Sequence, residues 1–256
     1  MKSIFITGAA KGIGKATALL FAQKGWFVGL YDTDEAGVTE LHKEIGAEKS
    51  CFAKLDVRNE TEIKNALEHF AKFTNGKMDV LLNNAGVLEM GFFEKIPLEK
   101  QKRMIDINFW GVVATTFYAL PLLKNTANSQ IINLSSASAI YGVPEFCVYA
   151  ATKHAIRGFT EGLEIELEQY GIKVSDIMPP FVNTDMLNKA EYKAWSVGTM
   201  GVHLQAEEVA EVIWRATQKH QTHHIITTKL KLLNLLGGWL PSLRKSLMKK
   251  LTMPPN

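Results

Sequence analysis

A tyrosine and a lysine four residues apart, Tyr149 and Lys153, are the residues whose types and spacing most directly suggest chemistry. On a helix this spacing places both side chains on one face, about one turn apart. A free tyrosine, with a pKa of about 10, is a poor base at neutral pH. An ammonium about 4 Å away can stabilise the phenolate by roughly 3–4 kcal/mol and lower that pKa by roughly 2–3 units. The pair therefore predicts an acid–base site.

A glycine-rich turn near the start of the chain predicts a second site. It reads TGAAKGIG over residues 7–14 and lies between an apolar strand and a helix-forming run. Glycines let the backbone approach a pyrophosphate, and the helix N-terminus favours its negative charge. A second apolar strand ends at Asp32, whose carboxylate can accept hydrogen bonds from adenosine ribose hydroxyls. The order of these features predicts a dinucleotide site; the alternative is a plain glycine turn followed by a surface aspartate.

These features resemble the classical short-chain dehydrogenase/reductase family over about residues 2–228. The turn matches that family's TGxxxGxG motif, and residues 83–86, NNAG, match its motif at the end of the fourth strand. The spacing of thirteen residues before Tyr149 selects one serine from three nearby candidates. The family's catalytic tetrad then matches Asn108, Ser136, Tyr149 and Lys153.

The resemblance also implies which residues bind the dinucleotide. Asp56 and Val57 match the positions that meet the adenine ring, although an unliganded surface Asp56 is the alternative. Asn84 matches a contact near the ribose, while Asn83 is expected to support backbone hydrogen bonds. The complete implied set is Gly8, Gly12, Ile13, Gly14, Asp32, Asp56, Val57, Asn84, Tyr149, Lys153, Val182 and Thr184, of which the last two lie near the nicotinamide carboxamide.

The implied reaction is hydride transfer, with nicotinamide carrying the hydride and the protein managing one proton. Tyr149 is expected to exchange that proton with the substrate oxygen, and Lys153 to lower the pKa of Tyr149 and bind the nicotinamide ribose. Ser136 would donate to the substrate oxygen. Asn108 would hold a water that relays protons. The alternative is a non-catalytic dinucleotide-sensing or scaffold protein that retains the fold.

The choice between NAD and NADP depends on two side chains. The carboxylate of Asp32 can bind two ribose hydroxyls but repels a 2′-phosphate. Lys11, in the glycine turn, could attract that phosphate, yet Asp34 and Glu35 add negative charge nearby. The sequence therefore favours NAD over NADP, with Lys11 as a solvated turn lysine.

Composition narrows the class of protein. The chain has 256 residues, 46% hydrophobic and 21% charged, with a net charge of +3 that is too small to indicate nucleic-acid binding. Cys51 and Cys147 are expected to be small buried residues, and no His/Cys spacing indicates a metal site. The early first strand and the lack of about 18 uninterrupted apolar residues predict a cytoplasmic protein.

Short apolar strands alternate with amphipathic helices along most of the chain. This alternation predicts an α/β, Rossmann-like, doubly wound parallel sheet of about seven strands, with helices on both faces and one domain over residues 1–228. Strands are predicted at 2–7, 26–31, 50–55, 79–83, 129–135, 172–178 and 223–227, with His223 and His224 flanking the last. Helices are predicted at 12–24, 34–46, 60–73, 99–125, 148–169 and 206–219.

Substrate preference is expected to depend on residues 137–148 and 185–205. These segments contain no arginine, so a strongly anionic substrate has no evident partner there. Their apolar residues predict a pocket for a lipid-like, steroid-like or aromatic secondary alcohol, ketone or aldehyde; the alternative is that they are core. They are Ile140, Tyr141, Val143, Phe146, Met186, Leu187, Trp195, Val197 and Met200.

The C-terminal tail, residues 229–256, is rich in leucine with cationic flanks. Two short amphipathic segments joined at the GGWLP sequence of residues 237–241 are predicted. They could pack over the cleft or against a second subunit; a peripheral membrane contact through residues 229–251 is the other interpretation. Helices 99–125 and 148–169 resemble the family's dimerising pair, which implies a homodimer or homotetramer.

Overall fold

Seven parallel strands form the centre of the molecule. The computed structural model describes residues 1–239, 246, 248, 249, 252 and 253. The strands are β1 (Ser3–Thr7), β2 (Phe27–Asp32), β3 (Ser50–Lys54), β4 (Val80–Asn83), β5 (Gln130–Leu134), β6 (Lys173–Met178) and β9 (His223–Ile225), while β7 (Val182–Asn183) and β8 (Leu204–Gln205) form a separate parallel pair. The sheet order is β3-β2-β1-β4-β5-β6-β9, with every neighbouring pair parallel.

The helices connect these strands in crossovers. They are α1 (Gly12–Gln23), α2 (Glu35–Ile45), α3 (Glu60–Thr74), α4 (Leu98–Ile105), α5 (Gly111–Lys124), α6 (Cys147–Leu167), α7 (Asp185–Asn188), α8 (Trp195–Met200), α9 (Ala206–Gln218) and α10 (Thr228–Trp239). The alternating side chains of β1 show why both faces are covered: Ile4 and Ile6 pack under α1, α2 and α9, whereas Phe5 packs under α3 and α5. The doubly wound α/β prediction is confirmed.

The helix predicted at 99–125 is interrupted in the middle. Residues Asp106–Trp110 form a π turn between α4 and α5, so that one continuous helical rod, Leu98–Lys124, changes its winding beside Asn108. Such single π turns are frequent at functional sites. By length and composition this 27-residue rod could cross a membrane. Ala114, Ala119 and Leu123, however, pack in the core under the sheet, as in a core helix that passes the same test.

Several elements near the cleft were absent from the sequence prediction. The short pair β7–β8 and the helices α7 and α8 form the segment between β6 and α9. His223 and His224 lie inside β9 rather than flanking it, and His223 Nδ1 lies 3.0 Å from the buried Asp176 carboxylate. Short elements of this kind lack the periodicity from which strands and helices are predicted.

The tail begins with α10, which continues the fold directly from β9. Leu230 of α10 and Met248 are both buried in the apolar cluster beside the cleft. This favours packing over the cleft for part of the tail. The backbone of α10 runs through Gly237 and Gly238 to Trp239 without a break. The rest of the predicted junction, Leu240 and Pro241, lies outside the described residues.

Candidate active site

Most of the predicted site residues line one cavity at the carboxyl ends of the strands. The cavity has a volume of about 310 Å³. Ligands of open α/β sheets bind at this edge, where the strand order reverses. Of the fourteen predicted residues, Gly14 and Asn108 do not line it. Those that do are Gly8, Gly12, Ile13, Asp32, Asp56, Val57, Asn84, Ser136, Tyr149, Lys153, Val182 and Thr184.

The predicted acid–base residues lie where the end of β5 meets the start of α6. Tyr149 and Lys153 are on the first turns of α6, and the Lys153 Nζ is 5.6 Å from the centroid of the Tyr149 ring. The same ammonium donates a hydrogen bond of 2.7 Å to the carbonyl of Leu134, at the end of β5. The Ser136 hydroxyl accepts from the Ser138 N–H at 3.1 Å, which fixes its position. Three polar groups therefore face one corner of the cavity.

The pKa values of this pair differ from the sequence-based expectation. Burial raises the pKa of Tyr149 to about 12, and a hydrogen bond with Ser136 opposes that shift only in part. Burial also lowers the pKa of Lys153 to about 8. In the protein by itself the pKa of Tyr149 is therefore raised and not lowered as expected, because desolvation disfavours both charged forms. The stabilisation of the phenolate by Lys153 stays a prediction. Tyr149 is a protonated acid at neutral pH.

Asn108 holds the loop that follows β4. Its Oδ1 accepts from the Val87 N–H and its Nδ2 donates to the Val87 carbonyl, both at 2.8 Å. Asn108 belongs to the π turn, and its side chain is almost fully buried outside the cavity lining. The structure therefore gives Asn108 a role in shaping the cavity wall. The water relay inferred from the resemblance stays a prediction.

The two asparagines at the end of β4, Asn83 and Asn84, make different contacts. Asn83 donates to Thr116 at 3.0 Å and to Asn133 at 2.9 Å, so it joins side chains of α5 and β5 instead of supporting the backbone as expected. The Nδ2 of Asn84 donates to the carbonyls of Thr7 and Gly8, at 3.0 and 2.8 Å. Asn84 therefore braces the glycine turn and also lines the cavity.

The glycine turn needs its glycines for two separate reasons. Gly8 has φ +69°, and a Cβ there would lie 2.8 Å from the Ala85 Cα. At Gly14 a Cβ would lie 2.0 Å from the Gly8 carbonyl oxygen, so this glycine lets α1 start directly against the turn. The turn and the N-terminus of α1 therefore form a backbone-lined cradle of the kind that accepts phosphate groups.

Asp32 and Lys11, near the glycine turn, both have polar partners within the protein. The Asp32 carboxylate accepts from the N–H groups of Ala10 and Asp34, both at 3.0 Å, and faces the cavity. Lys11 forms a 2.5 Å ion pair with Asp34, which holds the pKa of Lys11 above its usual value. Lys11 is therefore paired, not simply solvated as expected. Lys11 is the lysine of the glycine turn, and it is therefore already paired with a carboxylate near Asp32.

The other residues predicted to bind the dinucleotide have contacts that the sequence did not reveal. Asp56 forms an ion pair of 2.5 Å with Arg58, which lowers the pKa of Asp56. Val57 packs against Gly111, where a Cβ would approach to 2.6 Å. Thr184 lies against Gly12 across the turn, and Val182 is buried in the core beside it. Asp56 lines the cavity, and its contact with a ligand stays a prediction beside the unliganded alternative.

The side of the cavity that is predicted to bind substrate is apolar, but only part of the predicted apolar set lines it. Phe146, Met186 and Leu187 line the cavity, together with Phe181. The other predicted side chains that are buried pack in the adjacent core cluster, as the alternative interpretation held; they are Ile140, Tyr141, Val143 and Val197. Cys147 is exposed, contrary to expectation, while Cys51 is buried.

Sequence reasoning missed some residues at this site. Arg58 and Arg103 line the cavity, and Glu145 is buried next to Phe146. The only signal for Glu145 was a single carboxylate in an otherwise apolar loop, four residues before Tyr149. Within the described residues no cluster of three or more His, Cys, Asp or Glu side chains could hold a metal ion.

Fold, cavity and motif residues together define a dehydrogenase-type protein, and comparison with known proteins agrees. The family model described as short chain dehydrogenase matches residues 2–195. The chain belongs to the short-chain dehydrogenase/reductase family, a family of oxidoreductases, which confirms the resemblance.

Among its relatives, the chain is similar to a cyclohexanol dehydrogenase from an Acinetobacter strain, with 32% identity covering 83% of this chain and 86% of that one. A crystal structure of the 3-ketoacyl-(acyl-carrier-protein) reductase from Brucella melitensis, complexed with NADH, superposes with a TM-score of 0.79 at 28% identity, covering 88% and 96%. The closed form of a serine dehydrogenase complexed with NADP+ superposes with a TM-score of 0.79 at 29% identity, covering 88% and 94%.

Proposed function

We propose that this protein is an NAD(H)-dependent oxidoreductase that interconverts an apolar secondary alcohol with its ketone, or acts on an aldehyde of the same kind. One observation carries the proposal: Ser136, Tyr149 and Lys153 meet at one corner of a cavity that has a glycine-turn cradle on one side and an apolar wall on the other. Family membership supports the reaction class. The apolar wall supports the substrate class.

A nicotinamide dinucleotide fits the residues present. The turn at Gly8 and Gly14 presents backbone to the cavity, and the Asp32 carboxylate lies at the end of β2, where ribose hydroxyls would bind. Solved relatives hold NADH in one case and NADP+ in another. We favour NAD because Asp32 would repel a 2′-phosphate and Lys11 forms an ion pair with Asp34.

The protein's own groups would manage the proton, while the bound nicotinamide supplies or accepts the hydride. Tyr149 is protonated at neutral pH, so it is ready to donate a proton to the oxygen of a ketone. The Ser136 hydroxyl would bind the same oxygen and stabilise its developing charge. Lys153 would hold positive charge beside Tyr149, which favours the phenolate left after donation. In alcohol oxidation the same groups act in reverse.

The identity of the substrate is narrowed by the cavity wall and by the relatives. Phe146, Phe181, Met186 and Leu187 offer apolar surface. The Acinetobacter relative is named for cyclohexanol, a cyclic secondary alcohol of this kind. Cyclohexanol is therefore the first compound to test, followed by steroid-like, aromatic and long-chain alcohols and ketones.

Replacing Tyr149 by phenylalanine tests the proposal. The absorbance change at 340 nm is followed for the wild type with NAD and the alcohol panel. In the Tyr149→Phe variant we expect turnover to fall by about 10³-fold or more, because the proton donor is lost. The dissociation constant for NADH, measured by fluorescence, should change by less than about threefold, since the ring is retained. Turnover retained in the variant would refute the role of Tyr149.

The alternative function, a dinucleotide-sensing or scaffold protein, makes a different prediction. Such a protein binds NADH but gives no absorbance change with any panel member. The meeting of Ser136, Tyr149 and Lys153 favours the enzyme, because a sensor needs only the dinucleotide half of the cavity.

A further inference from the structure

Glu145 is a buried carboxylate in the loop between β5 and α6, four residues before Tyr149. Its side chain is only 4% exposed, and its backbone has φ +64°, in the left-handed region that L-residues seldom occupy. Only Asn75 and Asn128 share that property among the described non-glycine residues. Glutamate is a less usual occupant of this region than asparagine. Both its conformation and its burial therefore need a reason.

The contacts of Glu145 connect three segments of the chain. One carboxylate oxygen accepts from the hydroxyl of Tyr192, and the other accepts from the N–H of Trp195 at 2.8 Å. The main-chain carbonyl of Glu145 accepts from the Gly91 N–H at 2.9 Å. The loop after β4, the loop before α6 and the segment containing α7 and α8 are thus joined at a single residue.

The segment joined in this way borders the substrate side of the cavity. We call residues 185–200 the lid. Met186 and Leu187, at its start, line the cavity, while Ala194 and Val197 pack in the apolar cluster beside it. The bonds from Glu145 reach the middle of the lid, at Tyr192 and at the first residue of α8. They hold the lid against the loop that leads into Tyr149.

The two carboxylate hydrogen bonds of Glu145 offset the unfavourable terms of its conformation and its burial. A left-handed conformation is energetically unfavourable for a glutamate. In the described part of the chain Glu145 takes part in no ion pair, so its buried carboxylate depends on neutral donors. A buried carboxylate without such donors is costly. Such a residue persists where the surrounding structure requires it, and strain of this kind clusters at ligand clamps and lids.

We infer that Glu145 is a positioning residue that latches the lid closed over the substrate side of the cavity. Opening the lid breaks both carboxylate bonds and leaves the carboxylate unpaired, so the closed state is favoured. The latch itself follows from the contacts of Glu145. Its effect on substrate binding rests in addition on the function proposed above.

Limited proteolysis tests the latch without any substrate. Lys189 and Lys193 provide trypsin sites inside the lid. Cleavage requires a segment to unfold locally, so its rate reports lid opening. Glu145→Gly removes the carboxylate and also relieves the left-handed strain, which protects against a general loss of stability. We expect cleavage after these two lysines to be about tenfold faster in this variant, in the presence of NADH.

A matched control separates the latch from the backbone change. Asn75→Gly places glycine at another left-handed position, φ +53°, at the end of α3. Its lid cleavage should equal that of the wild type. If Glu145→Gly also cleaves at the wild-type rate, the latch is refuted. Acceleration in both variants to the same degree refutes it too, because the effect then belongs to glycine and not to the carboxylate.

The partner on the lid provides a second variant. Tyr192→Phe deletes only the hydroxyl that binds Glu145, on a side chain that is 42% exposed and outside the catalytic corner. We expect about threefold faster lid cleavage, and no further acceleration when Tyr192→Phe is added to Glu145→Gly. Fully multiplicative effects in the double variant would show that the two residues do not act together.

Kinetics with cyclohexanol and NAD extend the test to binding. In Glu145→Gly we expect the KM for cyclohexanol to rise about fivefold while the KM for NAD stays within about twofold. Equal changes in both KM values would refute a role specific to the substrate side. If the wild type does not oxidise cyclohexanol, that outcome bears on the proposed substrate, and the cleavage rates alone decide whether the latch exists.

Discussion

The pKa values of Tyr149 and Lys153 depend more on burial than on the distance between the two side chains. Their spacing on α6 was readable from the sequence, and it placed both side chains on one face as expected. The direction of the pKa shifts could not be predicted from the sequence, because it depends on how far folding excludes water from the two groups. Desolvation raises one pKa and lowers the other, so both groups tend towards their neutral forms. Burial of the charged form of either residue therefore lowers the stability of the folded protein.

A stability measurement on Lys153→Met tests that cost. Lowering a lysine pKa from 10.5 to about 8 corresponds to about 3 kcal/mol of destabilisation when the amine is charged. Methionine removes the charge but also loses the hydrogen bond to Leu134. We expect the free energy of unfolding at pH 7 to rise by about 1–3 kcal/mol, and turnover to be lost.

The pH dependence gives this prediction its sign. Below pH 8 the amine is charged in both the folded and the unfolded protein, and the cost is fully present. Between about pH 8 and 10.5 the unfolded state binds more protons, so the wild type gains stability relative to the variant. Urea unfolding at pH 7 and pH 10 measures the difference. The exposed Lys72→Met is the control, and an equal gain there would contradict the assignment.

At the scale of elements, the glycine turn and α1 depend on very close backbone approach. Gly14 does not line the cavity. Its close approach to the Gly8 carbonyl allows α1 to present its N-terminus to the cavity. The TGxxxGxG spacing indicated this turn correctly. Only the structure shows that Gly8 and Gly12 face the cavity while Gly14 serves packing.

Gly14→Ala tests this division of roles. The added methyl would lie 2.0 Å from a carbonyl oxygen, so α1 must move away from the turn. We expect a loss of about 1–3 kcal/mol of stability and about tenfold weaker NADH binding, measured by urea unfolding and fluorescence titration. In Gly198→Ala, on α8, the methyl meets nothing within 4 Å. That control should retain both properties; equal losses in the two variants would argue against the role of the contact.

The helical rod through Asn108 illustrates what periodicity can miss. Its apolar pattern predicted one helix at 99–125, which is correct at both ends to within a residue. The π turn at Asp106–Trp110 is not evident in that pattern, because the apolar residues continue through it; it lies in contact with α6. The side-chain bonds of Asn108 to Val87 lie at this point.

At the scale of the whole molecule, the α5 and α6 side presents exposed apolar residues. Phe117 on α5 is 65% exposed and Ile165 on α6 is 77% exposed. These helices correspond to the predicted dimerising pair. We expect a homodimer or homotetramer built on this face, and Phe117→Glu combined with Ile165→Glu should give a smaller species in sedimentation velocity. Leu232→Glu on α10 is the comparison: dissociation by that variant would place the tail in the interface instead.

Membrane contact through residues 229–251 stays a prediction, as does a cytoplasmic location. Within the described part of the tail, α10 exposes Leu232 and Leu235 close to Lys229 and Lys231, which is the composition of an interfacial helix. Co-sedimentation with vesicles containing phosphatidylserine measures it. On the membrane interpretation, the wild type binds these vesicles and Leu232→Glu with Leu235→Glu weakens that binding about tenfold; wild-type protein that remains in the supernatant would rule out this contact.

The sequence by itself was enough to predict the family, the placement of the motif residues near strand ends and the class of ligand. Gly8, Asp32, Ser136 and Tyr149 each follow or face a strand end, and the carboxyl ends of parallel strands share one edge of a sheet. Local spacing is enough for such conclusions, because the motif and its element are contiguous in the chain.

Only the tertiary structure decided which charges are paired, which apolar residues face the cavity and which protonation states burial favours. Arg58 and Asp56 are two residues apart, whereas Lys11 and Asp34 lie in the separate loops that follow β1 and β2; in both cases the ion pair depends on side-chain directions. Glu145 reaches Tyr192 across 47 residues of chain. Burial and long-range contacts are properties of the packed chain, so no window of sequence contains them.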